Sequence, residues 1–253
     1  MKIVISPAKS LDYESSFETE LETTPRFLNQ SEQLAQSLSK LSAEKIGDLM
    51  SISPKLADLN KERFDVWKKD FDPSDARQAV YAFKGDVYVG LDAYSLNTNQ
   101  QNFLQDHLRI LSGLYGVLKP MDLMQPYRLE MGTKWGVNDK KNLYEFWKET
   151  VTTSLNEELK DDPVLINLAS NEYFKSVDKK KLEARIITPN FKDFKGDKYK
   201  VISFFAKKAR GLMVRYIVDN KITDPEQLKG FNYEGYIYND ELSKGDEWIF
   251  TRG

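Results

Sequence analysis

Apolar residues recur along the chain with two different periods, and the switches between them mark out the elements. Lys2-Ile3-Val4-Ile5 is a short continuous apolar run closed by Ser6-Pro7, which predicts a buried strand at the start of the chain. From Pro25 to Leu41, Phe27, Leu28, Leu34, Ala35, Leu38 and Leu41 follow helical spacing. A second short helix begins after Ser42 and carries Ile46, Leu49 and Met50. A third opens at Ser53-Pro54, with Leu56, Leu59, Phe64 and Trp67, where proline at the first helical position is a start signal.

Further on, Val80-Tyr-Ala-Phe83 and Val87-Tyr-Val89 flank the turn Lys84-Gly85-Asp86 and predict a pair of strands. The spacing predicts helices from about Gln100 to Leu111 and from Asn142 to Lys160. Strands are predicted at Pro163–Ala169, Arg185–Thr188 and Tyr199–Phe205, then a helix from about Ala206 to Val218 and a closing hairpin between Tyr233–Tyr238 and Glu247–Thr251. Interleaved strands and helices define an α/β or α+β class. No internal repeat or low-complexity linker divides the 253 residues, so one compact domain, 1–253, is expected. Its sheet is mixed, with helices around it and a helical subregion at about 25–69.

Composition narrows the chemistry. The chain has no cysteine, which excludes disulfides, thiolate nucleophiles and cysteine-bound clusters. One histidine, His107, excludes multi-histidine metal sites; its neighbours Leu104, Leu108 and Leu111 make it an edge-of-core residue. Neither a metal nor a cofactor is expected. Thirty-seven basic residues balance thirty-nine acidic ones, so binding to an anionic polymer needs a local patch rather than a global field. No apolar stretch approaches the roughly 20 residues that span a bilayer, and the first residues do not resemble a signal peptide, so a soluble, cytoplasmic protein is expected. Glu14, Glu18, Glu20 and Glu22 form an acidic surface loop.

The local patch is Lys198–Val218, where Lys198, Lys200, Lys207, Lys208, Arg210 and Arg215 occur with no acidic residue among them. This predicts an anion-binding helix face. Gly211 in its interior costs about 1 kcal/mol relative to alanine and predicts a tight helix crossing, with ligand approach as the alternative. Leu111-Ser-Gly-Leu-Tyr-Gly-Val-Leu118 offers Gly113 and Gly116 for anion contact or a plain turn. Arg128 supplies a bidentate fork, and Glu130 either pairs with it or acts as an acid or base. Ser6, Lys9, Asn167, Ser170 and Tyr173 follow the ends of predicted strands, where α/β proteins gather ligands. Capping is the alternative for Ser170.

The segment Leu41–Asn60 reads helix, hairpin Ser51-Ile52-Ser53, helix, and fits a helix-hairpin-helix phosphate contact through Ser53 and Lys55, or an ordinary helical hairpin. The runs Ile5-Ser-Pro-Ala-Lys-Ser-Leu-Asp12, Phe83-Lys-Gly-Asp-Val-Tyr88, Leu111–Leu118, Gln125-Pro-Tyr-Arg-Leu-Glu-Met-Gly132, Asn167-Leu-Ala-Ser170, Glu172-Tyr-Phe-Lys175 and Ala206-Lys-Lys-Ala-Arg-Gly-Leu-Met213 together resemble the YaaA peroxide-stress family. The resemblance implies a cytoplasmic bacterial protein of family-specific α/β fold. Its function would be to bind DNA of low sequence specificity, double-stranded or damaged, and to limit oxidative DNA damage and free intracellular iron. It further implies Lys9, Arg128, Lys207, Lys208 and Arg210 as cations of a basic cleft, to which the helix spacing adds Arg215. An enzyme acting on a nucleobase, nucleotide or DNA lesion is the alternative, with Lys9, Glu130, Ser170 and Tyr173 as its catalytic candidates.

Overall fold

A computed structural model describes residues 1–17 and 19–253; Glu18 of the expected acidic loop lies outside the described residues. Glu14, Glu20 and Glu22 of that loop are exposed and irregular. Five parallel strands form the heart of an eight-stranded sheet: Lys2–Ile5, Leu108–Ser112, Val164–Leu168, Arg185–Lys195 and Glu247–Arg252. Taken in chain order, they stand in space as second, first, third, fourth, fifth. The first strand pairs Ile5 with Ile110 on one side and with Leu168 on the other. Antiparallel additions complete the sheet, with Gly116–Leu118 on one edge, Ile237–Tyr238 on the other, and Lys198–Lys200 beside Arg185–Lys195.

This is an α/β architecture. Strands buried on both faces need apolar side chains on both, which is why Ile3, Val4, Ile5, Leu165, Ile166 and Leu168 are all buried. The strand order reverses between the first and third strands, whose carboxyl ends carry Ser6 and Ala169-Ser170. Ligands of doubly wound sheets settle at such a switch point.

Several elements differ from the sequence reading. The helix Thr98–His107 stops four residues early, and Leu108–Ser112 is a core strand. A run buried at every position has no period of its own, so the i, i+3 spacing of Leu108 and Leu111 was misleading. The two strands expected around Lys84-Gly85-Asp86 are mostly helical, as Ala79–Ala82 and Asp86–Leu91, with only Phe83–Lys84 extended. Strand propensity of valine and tyrosine yields here to packing, because Asp86–Leu91 lies against the long helix Ser203–Asp219. That helix begins at Ser203, so the strand expected at Tyr199–Phe205 is reduced to Lys198–Lys200.

The helices Leu28–Ser39, Ala43–Met50 and Pro54–Val66 form the expected helical subregion. Ser42 caps the second by accepting the Lys45 N–H, and left-handed Ser51 (φ 51°) reverses the chain, its successor Ile52 bonding back to the Gly47 carbonyl. His107 stacks on Phe103 at 4.1 Å with Nδ1 2.8 Å from the Met1 carbonyl, and burial lowers its pKa; it is an edge-of-core residue. Among the described residues no helix is long and apolar enough to cross a membrane.

Candidate functional site

The cleft at the switch point is assembled from five separate stretches of chain. Ser6, Pro7, Ala8 and Lys9 leave the first strand, and Ser170, Glu172 and Tyr173 follow the third. Gly85, Asp86, Val87 and Tyr88 form another wall, Glu130 a further one, and Lys207 and Arg210 the last. The cavity they enclose is about 370 Å³. Its floor is braced across the switch point, where the Ser170 N–H donates to Ser6 Oγ at 2.8 Å and the Tyr88 hydroxyl to the Ser6 carbonyl at 3.2 Å. Ser170 also caps the short helix Asn171–Phe174, so one residue both lines the cleft and caps a helix.

Two glycine contacts set the walls. Gly211 lies where Ser203–Asp219 crosses Asp86–Leu91, and a Cβ there would stand 1.8 Å from the Val87 carbonyl oxygen. Gly90 answers from the other helix, where a Cβ would meet the Lys208 carbonyl oxygen at 2.1 Å. Only hydrogen on both sides permits this crossing, which fixes Lys207 and Arg210 beside Gly85–Tyr88. Gly211 is therefore a packing residue. So are Gly113 and Gly116, for which anion contact was one expectation. A Cβ on Gly113 would meet the Leu129 carbonyl oxygen at 2.1 Å, and Gly116 (φ 71°) lies against the Trp147 ring. The Gly113 contact seats the Leu129–Glu130 backbone at the strand end, and so aims Glu130 into the cleft.

The cations divide into two groups. Lys9 Nζ is 2.6 Å from Glu130 Oε2, and an Arg128 guanidinium nitrogen is 3.3 Å from Glu130 Oε1. Arg128 thus stands behind Glu130 instead of lining the cavity as a direct clamp, with its Nε buried and, among the described residues, without a partner. On the long helix, Lys208 pairs with Glu234, and Arg215 with Asp219 and Asp92 while donating to Ser95. These two do not line the cleft, in contrast to the expectation for them. Lys207 and Arg210 do, and among the described residues neither forms a salt bridge. Desolvation lowers the pKa of half-buried Arg210, the mark of a guanidinium held away from water without a carboxylate beside it.

The neutral groups complete the lining. Burial, with Tyr127, Glu172 and Glu130 nearby, drives the Tyr173 phenol well above its ordinary pKa, so it stays protonated. Glu172 accepts the Gly132 N–H at 3.0 Å through Oε1, which leaves Oε2 for another donor. Asn167 is buried and accepts the Ala169 N–H, closing the strand exit without entering the cleft. Asp86, Tyr88 and Glu172 were absent from the sequence candidates, although all three stand in runs that carry the family resemblance, which was the available signal.

The hairpin is a separate place. Ser53 starts its helix without a side-chain cap, and Lys55 is exposed. Glu44, Asp48 and Asp58 share the groove there with Gly47 and Ala57. Nothing in this geometry distinguishes it from an ordinary helical hairpin, and three carboxylates are unfavourable to phosphate. Among the described residues no group of three or more histidine, aspartate or glutamate side chains is placed to hold a metal ion.

Fold and site together define an α/β protein with a cleft, lined in part by Lys207 and Arg210, at the switch point of a mostly parallel sheet. A family model described as peroxide stress protein YaaA matches residues 1–242. Proteins named UPF0246 protein match over the whole chain and whole or nearly whole relatives: Flavobacterium johnsoniae at 58% identity over 252 residues, Flavobacterium psychrophilum at 56% over 252, and Hahella chejuensis at 55% over 254. The chain belongs to the peroxide stress protein YaaA family.

Proposed function

We propose that this protein binds DNA through phosphate contacts in the switch-point cleft. In this reading the contact protects DNA during peroxide stress and accompanies the lowering of free iron that the family resemblance implies. One observation carries the proposal: of four cations on one helix, two are neutralised by carboxylates, while Lys207 and Arg210 face the cavity without such partners among the described residues. An unpaired, partly desolvated guanidinium costs free energy until an anion arrives, so its presence in a cleft favours a site that is completed by ligand. The overall charge of -2 limits non-specific attraction, so affinity rests on these few contacts and falls steeply with salt.

The test is fluorescence anisotropy on unrelated duplexes over a salt series. Lys207→Ala with Arg210→Ala should weaken binding to all of them alike and reduce the slope of log affinity against log salt by about 1 per lost cation. Lys208→Ala with Arg215→Ala removes the same charge outside the cleft and should leave most of the slope. Equal slopes for both double variants would refute the cleft assignment. A second reading, an enzyme, is favoured by the convergence of Lys9, Glu130, Ser170 and Tyr173 on one cavity. Product formation from oxidised or abasic DNA, or from nucleosides, would select it.

A further inference from the structure

Phosphate binding leaves part of the cleft without a purpose. Three carboxylates, Asp86, Glu130 and Glu172, line the same cavity as Lys207 and Arg210; Asp86 is exposed, whereas Glu130 and Glu172 are half-buried and held in place by neighbouring groups. A groove built only to track a phosphate backbone is weakened by each carboxylate it contains, since like charge opposes the ligand. Carboxylates in a binding cavity instead accept hydrogen bonds from N–H and O–H groups. Glu172 keeps one oxygen available after taking the Gly132 N–H, and Glu130 holds Lys9 and Arg128 with one oxygen each, leaving lone pairs on both. The cavity asks for a ligand with an anionic group and, elsewhere on the same molecule, hydrogen-bond donors.

The remaining lining and the size narrow that class. Pro7, Ala8, Val87 and the rings of Tyr88 and Tyr173 supply apolar and aromatic surface between the charged groups. A volume of about 370 Å³ lies near the lower end of the roughly 300–1,000 Å³ of small-molecule sites. That is room for one ring system with a phosphate and not for a base pair. We infer that the cleft is a single-nucleotide pocket, in which Lys207 and Arg210 take the phosphate and Glu130 and Glu172 take amino, imino or hydroxyl groups of the base and sugar. The inference rests on the proposed phosphate binding by this cleft. A free nucleoside monophosphate and an unpaired nucleotide extruded from a duplex present the same chemistry.

Calorimetry with deoxynucleoside 5′-monophosphates, deoxynucleosides and inorganic phosphate tests the pocket on the unaltered protein. Monophosphates should bind at least about tenfold more tightly than either part alone, because both ends of the ligand are held. Glu172→Gln keeps an acceptor for the Gly132 N–H. It should weaken monophosphate binding about tenfold without weakening inorganic phosphate. In parallel, a fully paired duplex and the same duplex with one unpaired nucleotide are titrated by anisotropy. If monophosphate displaces the unpaired duplex, the source is a nucleotide in the strand; if monophosphate binds without displacing it, the source is the free nucleotide. Both outcomes support the pocket. Phosphate binding as tightly as monophosphate overturns it, as does a folded Glu172→Gln variant that binds monophosphate like the parent. Duplexes that bind through Lys207 and Arg210 while no monophosphate binds refute the pocket and leave the proposed function standing. DNA binding that ignores those two residues refutes both.

Discussion

Replacing Gly211 with alanine puts the whole cleft geometry under test, because the substitution has two opposed effects of known sign. Alanine in a helix interior is favoured over glycine by about 1 kcal/mol. Against this, the new methyl carbon would start 1.8 Å from the Val87 carbonyl oxygen and 2.8 Å from the Leu91 nitrogen. Both are backbone atoms of the crossing helix, so no rotamer change relieves the clash. The helices must part by roughly 1.5 Å to reach van der Waals contact. Overpacking of this kind costs about 1–3 kcal/mol even where side chains can adjust, and here they cannot. The net expectation is a loss of about 2 kcal/mol, or a melting temperature lower by about 4–8 °C for a chain of this size. Gly47→Ala is the internal control. It too lies in a helix, but its Cβ would come no nearer than 3.3 Å to the Ala57 Cβ and 3.6 Å to the Ile52 carbonyl oxygen, so propensity should win and stability should hold or rise slightly. Differential scanning fluorimetry reads both. Because parting the helices displaces Lys207 and Arg210, Gly211→Ala should also weaken DNA binding while Gly47→Ala does not. A Gly211→Ala protein as stable as the parent, with parental DNA affinity, would show that the crossing does not set the cleft.

Glu130→Gln removes a negative charge from the cleft and loosens its hold on Lys9 and Arg128; duplex affinity, measured by anisotropy at low salt, should rise several-fold, about 1 kcal/mol at most. Unchanged affinity would make Glu130 a purely structural partner of those cations. Asp122 governs a separate, pH-linked effect. Buried against Thr23 Oγ1 (2.6 Å) and the Lys119 N–H (2.7 Å), its carboxyl is pushed up to about 6 by desolvation. A carboxyl with a raised native pKa favours the fold when protonated. Its contribution, on the order of 2–3 kcal/mol, is complete below the unfolded value near 4 and lost as pH rises through about 6. Asp122→Asn should remove this decline, so the difference in melting temperature between parent and variant should change sharply between pH 4 and pH 6 and level off above. A difference independent of pH would contradict the assignment.

Most of what positions the site was visible along the chain, though not all of its partners. Ile3–Ile5 and Leu165–Leu168 announce buried strands by continuous apolar runs, and ligands collect at strand ends, so Ser6, Lys9, Ser170 and Tyr173 were found in advance. The acid-free stretch around Lys207 and Arg210 was likewise plain. What composition cannot show is pairing. Lys208 and Arg215 looked equal to Lys207 and Arg210 until Glu234, Asp92 and Asp219 were placed beside them by tertiary structure. Tyr88 was hidden for a different reason: Val87-Tyr88-Val89 has strand chemistry, and its helical form depends on a crossing made possible by Gly90 and by Gly211 far along the chain. Leu108–Ser112 was mistaken for helix because a strand covered on both faces carries no alternation.

The claim that DNA is held at the switch point is tested most directly by amide hydrogen exchange with and without a short duplex. Binding in the cleft should slow exchange in residues 6–10, 85–88, 170–174 and 203–211, the stretches that enclose the cavity, and should leave the hairpin at 51–60 unchanged. Protection centred on 51–60, with the cleft segments exchanging as in the free protein, would contradict the account and return DNA binding to the helical hairpin.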